Sequence, residues 1–333
     1  MSIAYFFKEA WEPEYVRERL PDDKISFHQG VLGDTESTDA DASVLSVFVD
    51  SAVGEEEMER FPQLKLIATR STGFDHIDMD AARKRGIVVS NVPFYGENTV
   101  AEFTFALILA LLRRVEAAHR RVFETDTFSQ EGLRGFDLAG KTIGIVGGGH
   151  IGMRVARIAK GFEMNVLVFD VHEDEALARE VGFSYAPMDE LLTRSDIVSL
   201  HVPYNEHTHH LLGSAELQKM KHGAYLINTA RGGVLDTMAL IEALSKGAIA
   251  GAALDVLEEE GDLGDELELL AGPHPKEADL KAALANHYLM NHPRVIVTPH
   301  IAFNTEEAVT RIIDTTIGNI KAFAAGKPEN VVT

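Results

Sequence analysis

The chain has 333 residues, with 52 Asp and Glu against 31 Lys and Arg, and a formal net charge of -21. So acidic a surface repels nucleic-acid phosphates and anionic membranes, and any anion site must rely on locally placed cations. Cysteine is absent, which removes disulfides, thiolate nucleophiles and zinc–thiolate sites together and suits a reducing compartment, while the length suits two domains, each able to bury its own core.

The N-terminus has no basic leader, and its apolar run is too short for a signal peptide; a soluble cytoplasmic protein is expected. Through the first ninety-odd residues, Ile3–Phe7, Ser43–Val49, Leu66–Thr69 and Ile87–Val89 read as strands. Glu14–Leu20, Glu55–Phe61 and Asp78–Arg85 read as helices between them, the last closed by Gly86. Such alternation predicts a parallel sheet covered on both faces. No phosphate-binding glycine turn occurs there, so this is not the cofactor half. Asn98 to about Phe123 then reads as one long helix, apolar nearly all round and therefore buried, whether inside one domain, between domains or against another subunit. Its most apolar stretch, Phe103–Leu112, is too short for a membrane span and is flanked by Glu102 and Arg113-Arg114.

The next segment carries the strongest signal. An apolar run, Thr142–Val146, leads into Gly147-Gly-Gly149-His150-Ile151-Gly152, an amphipathic stretch to Gly161, a second apolar run Val166–Phe169, and Asp170. Strand, G-x-G-x-x-G turn, helix, strand and acid form the fingerprint of a dinucleotide-binding unit. Gly147 allows the sharp turn, Gly149 lets a pyrophosphate approach the backbone, and Gly152 lets helix and strand pack closely. The helix-start amides of His150 and Ile151 face the phosphates with the positive end of the dipole behind them. Asp170 accepts from the ribose hydroxyls and repels a 2′-phosphate; only Val171 and His172 follow it, so NAD is preferred to NADP.

Later strands are expected at Ile197–His201, Tyr225–Asn228, Ala250–Leu254 and Val295–Thr298, with a helix capped by Asp236 and ended by Gly247. Gly261–Pro293 reads as an insertion between two strands, with a helix near Glu277–Asn291. Asn304-Thr-Glu-Glu307 reads as a capping-box start to a closing helix that runs to about Ala325.

Ligands of open α/β sheets bind beyond the carboxyl ends of the strands. Arg231 follows one such end, Asp255 and the run Glu258–Glu260 the next, and His300 the last. A guanidinium can hold a 2-oxo acid's carboxylate with two hydrogen bonds. Histidine can exchange the carbonyl proton during hydride transfer, and a neighbouring carboxylate, Glu260, would raise its pKa. Singly, each has a plainer reading: Arg231 as a surface arginine, His300 as a structural histidine, Glu258–Glu260 as a solvated acidic run. Their shared location favours the functional one. His207-Thr-His209-His210 could suggest a metal, but no cysteine or carboxylate cluster joins it. The acidic run Glu258–Asp265 lacks the ligand spacing of a calcium loop. No metal is expected.

The whole chain resembles the D-isomer-specific 2-hydroxyacid dehydrogenases, closest to their D-lactate branch. The resemblance is carried by Arg70-Ser-Thr72-Gly73-Phe-Asp-His-Ile-Asp78, Pro93-Phe-Tyr95 with Val100-Ala-Glu-Phe-Thr, His201-Val-Pro203, Asn228-Thr-Ala230-Arg231-Gly232, Asp255 with Glu260 five residues on, and Thr298-Pro-His300-Ile-Ala302. It implies two doubly wound parallel-sheet domains, a flavodoxin-like substrate domain of residues 1–98 and 302–333 and a Rossmann-type NAD domain of residues 99–301, with the active site in a cleft. It selects Glu260 among the three glutamates, making Arg231, Glu260 and His300 catalytic. It assigns Thr72, Gly73, Tyr95, Arg231 and Phe303 to substrate binding. To the glycine turn and Asp170 it adds Val100, Val202, Pro203, Ala230, Asp255, His300 and Ala302 as cofactor contacts, with Asp255 near the nicotinamide carboxamide. Such proteins commonly dimerise through the cofactor domain, so a homodimer acting on a small 2-oxo or 2-hydroxy acid is expected. The long acidic Gly261–Pro293 segment departs from the pattern. Glyoxylate, hydroxypyruvate or a branched 2-hydroxy acid are the alternative substrates, and an NAD-sensing corepressor of the same fold the non-enzymatic alternative. Oxidation of NADH by pyruvate discriminates the last.

Overall fold

The computed structural model describes residues 1–33, 39–258 and 277–332. The chain divides into two compact units, Met1–Tyr95 with Thr305–Thr333, and Gly96–Asn304.

The first unit is built on β1 (Ser2–Phe7), β2 (Lys24–Gln29), β3 (Val44–Val47), β4 (Leu66–Thr69), β5 (Val88–Ser90) and β13 (Val331–Val332), in the order β13-β5-β4-β3-β1-β2. The first five strands are parallel in the flavodoxin-like order 2-1-3-4-5, and β13 adds antiparallel to β5. Ile3–Phe6 are buried on both faces, as a central parallel strand requires. β2 is absent from the sequence expectation. It is an edge strand whose Lys, His and Gln blur the apolar pattern, held by Phe27 packing edge-on to Tyr5 at 5.7 Å between ring centroids. The closing helix, Glu306–Ala324, covers one face through Ile313, Ile317 and Ile320. Its cap is Thr305, which accepts from the Ala308 amide, and not the expected Asn304 box: the threonine hydroxyl one residue later takes the orphan amide directly.

The second unit holds β6 (Thr142–Val146), β7 (Asn165–Phe169), β8 (Ser184–Tyr185), β9 (Ile197–Leu200), β10 (Ala224–Asn228), β11 (Ile249–Leu254) and β12 (Val295–Val297), ordered β12-β11-β10-β9-β6-β7-β8. All its pairings are parallel. This is the dinucleotide-binding order 3-2-1-4-5-6 with a seventh strand added, and the order reverses between β6 and β9. Apolar clusters fill both faces. The helix Glu97–Leu112 lies within one of them, with Phe105 stacked on Phe162 at 5.3 Å.

That helix is shorter than expected. It ends at Leu112, Arg114 turns left-handed at φ 55, and a second helix runs from Val115 to Thr125 with no buried residue. The cause is a returning segment: the Phe136 amide donates to the Leu112 carbonyl, and a Cβ on Gly135 would sit 2.3 Å from that oxygen. Pattern alone could not show this, because the apolar residues continue past the break. No helix among the described residues is long and apolar enough to cross a membrane.

Candidate active site

The glycine turn leaves β6 at the point where strand order reverses. Gly147 sits at φ +101, and a Cβ there would lie 2.5 Å from the His201 carbonyl oxygen. A Cβ on Gly152 would lie 2.0 Å from the Gly147 oxygen. Neither position can carry a side chain. Gly149 differs, since a Cβ there meets nothing within 4 Å; the space beside it is open at the start of the helix His150–Gly161. First-turn amides have no acceptor within their own helix, so those of His150 and Ile151 present donors and the positive dipole end. His150 is exposed, its Nδ1 3.4 Å from Glu97. Asp170 accepts from the Gly148 amide at 2.6 Å and the His172 amide at 2.8 Å, which fixes a carboxylate beside the turn. A glycine cradle, a helix start and a strand-end acid fit a dinucleotide.

On the neighbouring strand end the His201 amide donates to Val146 O, and Nε2 lies 2.8 Å from Ser199 Oγ. Burial pushes the His201 imidazole down to about 3, so it is neutral at working pH. Val202 packs against Gly147, and Pro203 O accepts from Thr208 Oγ1. Val100 is buried on the first helix of this unit.

Beyond these strands, the ends of β10, β11 and β12 lie side by side. Asn228 is buried at the end of β10. Its Oδ1 accepts from the Ala230 amide and its Nδ2 donates to Arg231 O, an Asx-type turn that presents Arg231 in extended backbone. Arg231 is half-buried and donates to Ala230 O. Thr229 Oγ1 lies 3.0 Å from Thr104 Oγ1, tying this turn to the first helix. Asp255 follows β11. Its Oδ1 accepts from Thr298 Oγ1 at 2.5 Å and the Ile301 amide at 3.0 Å, and its Oδ2 accepts from Ala302 at 2.8 Å. Burial raises its pKa, opposed by those donors and by His300. His300 holds a left-handed φ of 49, with its amide donating to Asp255 O at 2.8 Å. The Asp255 carboxylate therefore closes the loop that carries His300. Phe303 meets the His300 ring edge-on at 6.3 Å.

Arg231, Asp255, His300, Ala302 and Phe303 are thus gathered on one rim of the second unit. Glu260 lies outside the described residues, as does the start of the Gly261–Pro293 segment. In the first unit the loop after β4 is pinned: Thr72 Oγ1 donates to Val92 O, Asn91 Nδ2 to Thr72 O, and Ser71 Oγ to Gly73 O. Tyr95 O accepts two hydrogen bonds from Arg311. His209 and His210 are engaged with Tyr204 and Glu258, and no group of three or more possible metal ligands occurs among the described residues. The sequence reading names Thr298, Asn228 and Glu258 but assigns none of them a role of its own. The Asn–Thr–Ala run after a strand carries a turn signal that could have found Asn228, whereas Glu258 was indistinguishable from its acidic neighbours.

Residues 105–302 match the family model described as D-isomer specific 2-hydroxyacid dehydrogenase, NAD binding domain. A 2-hydroxyacid dehydrogenase homolog of Zymomonas mobilis is 36% identical over 98% of this chain and 98% of its own length. A glyoxylate reductase of Korarchaeum cryptofilum is 36% identical over 98% of this chain and 90% of its own. The D-lactate dehydrogenase of Aquifex aeolicus, solved with NAD and lactic acid, superposes with a TM-score of 0.86 at 38% identity, covering 98% of this chain and 96% of that one. The chain belongs to the D-isomer specific 2-hydroxyacid dehydrogenase family, and it is an NAD-dependent oxidoreductase of 2-hydroxy acids.

Proposed function

We propose that the protein interconverts pyruvate and D-lactate. The observation that carries the reading is the rim itself, where the Arg231 turn and the His300 loop end adjacent parts of one sheet and are joined through Asp255. NADH, when bound, supplies the hydride to the carbonyl carbon. Arg231 takes the substrate carboxylate in two hydrogen bonds, together with the backbone of Thr72 and Gly73. His300 donates the proton to the carbonyl oxygen and removes it in the reverse direction. Glu260 pairs with that imidazole. Tyr95 reaches the substrate, and Phe303 closes the pocket beside His300. Val100, Val202, Pro203, Ala230 and Ala302 would contact the bound cofactor, and Asp255 would help orient its nicotinamide ring. The resemblance to a D-lactate dehydrogenase solved with lactic acid supports this substrate.

We also propose a homodimer through the second unit. Its helix Val115–Thr125 and the following chain leave Phe123, Phe128 and Phe136 exposed, more aromatic surface than a monomer ordinarily leaves in water. A cysteine-free sequence suits the cytoplasm, where we place it.

The test is a panel of D- and L-2-hydroxy acids with NAD, and of 2-oxo acids with NADH. Pyruvate and D-lactate are expected to give the highest kcat/KM. A preference for glyoxylate or an aromatic 2-oxo acid would overturn the substrate, and activity on the L-series the whole reading. His300→Ala is expected to lose about 10²–10⁴-fold in turnover; an unimpaired variant removes His300 from the mechanism.

A further inference from the structure

Three loops meet behind the Arg231 turn. The backbone of Gly232 is pressed against the segment after Asp255, so that a Cβ there would lie 2.0 Å from Leu257 O and 2.5 Å from the Glu258 amide nitrogen. Gly233 O accepts from the His210 amide at 2.8 Å. A Cβ on Gly233 would lie 2.7 Å from the Tyr204 ring. The chain between these contacts is closed by a side-chain hydrogen bond, His210 Nε2 to Glu258 Oε1 at 2.5 Å. The second oxygen of Glu258 accepts from the Thr237 amide at 3.3 Å, and its carbonyl accepts from Asn286 Nδ2 at 2.8 Å. His210 is held from its other side: His209 stacks on it with 3.9 Å between ring centroids, and Tyr204 OH lies 3.1 Å from His209 Nδ1. Its own backbone is left-handed at φ 49, a conformation that costs energy in a residue other than glycine and persists only where neighbours enforce it.

We propose that His210 and Glu258 are positioning residues for the 2-oxo acid, latching the Arg231 turn to the segment that leads from Asp255 to Glu260. Both carboxylate oxygens of Glu258 have protein partners, His210 and the Thr237 amide. The latch acts on the two glycines after Arg231, which have no side chains of their own and are held through their backbone, Gly232 O accepting from the Leu235 amide and Gly233 O from the His210 amide. The pair is half-exposed, with side-chain exposures of 36% and 26%, so its contribution to global stability is small. Its effect falls on geometry: it sets where the guanidinium points, and small misplacements of a binding group carry large kinetic costs. Glu258 thus differs in kind from the acid two residues later, although the two are alike in sequence. The inference rests on the reading that Arg231 binds the substrate carboxylate.

The experiment compares Glu258→Ala, Glu258→Gln, His210→Asn and the Ala/Asn double variant with the wild type on its best 2-oxo acid. Asparagine tolerates the left-handed backbone at 210, and glutamine at 258 keeps an acceptor for the Thr237 amide. Glu258→Ala and His210→Asn are each expected to raise KM for the 2-oxo acid about tenfold with KM for NADH changed less than about twofold, and the double variant is expected to be no worse than the poorer single one, as for two halves of one contact. Glu258→Gln is expected to recover most of the loss. Amide hydrogen exchange across Arg231–Val234 is expected to accelerate in Glu258→Ala and not in Glu258→Gln. An unchanged 2-oxo acid KM, multiplicative losses, or a parallel rise in KM for NADH overturns the proposal. So does unaltered exchange at the turn, which is readable without any substrate. Arg231→Lys tests the reading beneath it separately: if that variant keeps wild-type kinetics while exchange still accelerates in Glu258→Ala, the latch stands and the substrate role of Arg231 falls.

Discussion

The two units share a doubly wound plan and treat it oppositely. Each sheet reverses its strand order once, between β1 and β3 in the first unit and between β6 and β9 in the second. That reversal opens a crevice at the carboxyl ends where doubly wound folds take their ligands. In the second unit the crevice is lined by glycine, with open space beside Gly149. In the first it is crossed by a side chain. Arg70, at the end of β4, reaches past β3 to β1, where its guanidinium donates to Tyr5 OH, to the Phe6 carbonyl and to Glu12. Glu12 in turn accepts from the Lys8 and Glu9 amides. Burial pushes the Tyr5 phenol up, keeping it a neutral partner in this cluster. The comparison teaches that strand order creates the crevice and side-chain volume decides whether it binds anything. It also shows how the loop beginning at Arg70 is anchored: the residue that opens it sits in a buried ion pair.

Removing one member of that pair is the strongest way to break the comparison. Arg70 and Glu12 side chains are only 5% and 4% exposed. Arg70→Met leaves a buried carboxylate without its cation and is expected to cost about 3–5 kcal/mol in urea unfolding, whereas Arg70→Met with Glu12→Gln is expected to recover much of it. A single-variant loss below about 1 kcal/mol would mean that water reaches the cluster and the crevice is not plugged.

In the second unit the corresponding test contrasts two glycines. Gly152→Ala drives a methyl group into the Gly147 carbonyl and is expected to cost about 1–3 kcal/mol, with NADH affinity falling as the turn shifts. Gly149→Ala meets no protein atom. It is expected to leave the melting temperature unchanged while weakening NADH binding, measured by fluorescence titration. Equal affinity for wild type and Gly149→Ala would show that the pyrophosphate does not approach there.

A pH titration sharpens the same contrast. The His201 carbonyl packs behind Gly147, and its buried imidazole is neutral, with its pKa depressed to about 3. Between that value and the unfolded value of about 6.5, the unfolded chain binds one more proton than the folded one, so stability is lost as pH falls through this window, at up to about 1.4 kcal/mol per pH unit. His201→Asn is expected to flatten that slope. A slope identical in the two proteins would show that the imidazole is charged in the folded state.

How much of this was legible beforehand follows from what each element depends on. The β6 turn was readable because glycine is required there by contacts within one βαβ unit, a local matter that sequence spacing records. The Arg231, Asp255 and His300 rim was readable because each lies at a strand end, and the order of parallel strands is nearly fixed once the fold is known. β2 was not, since an edge strand buries too little to impose a period. The break at Arg114 was not, because its cause is a chain returning some twenty residues later. Arg70 looked like part of a ligand loop and is instead its anchor. Glu258 looked like solvent-facing charge and pairs with a histidine 48 residues away. Long-range polar pairs leave no local pattern, and they are what the sequence conceals.

The smallest expected effect tests the acid at the far end of the glycine crevice. Asp170 accepts from the Gly148 amide, which folds the turn, and on the proposed reading its charge would also stand where an adenosine 2′-phosphate would come. Asp170→Asn keeps an oxygen for that amide and removes the charge. It is expected to lower the preference for NAD over NADP about tenfold, roughly 1.4 kcal/mol of discrimination, with little change in melting temperature. Asp170→Ala removes both functions, so the same loss of preference should come with a lower melting temperature and a weaker KM for NAD as well. If Asp170→Asn leaves the preference intact while Asp170→Ala destroys binding, the carboxylate is a structural acceptor only. Discrimination would then belong to the shape of the crevice beyond Gly148, where a Cβ would already crowd Asp170 Oδ2 at 3.2 Å, and not to its charge.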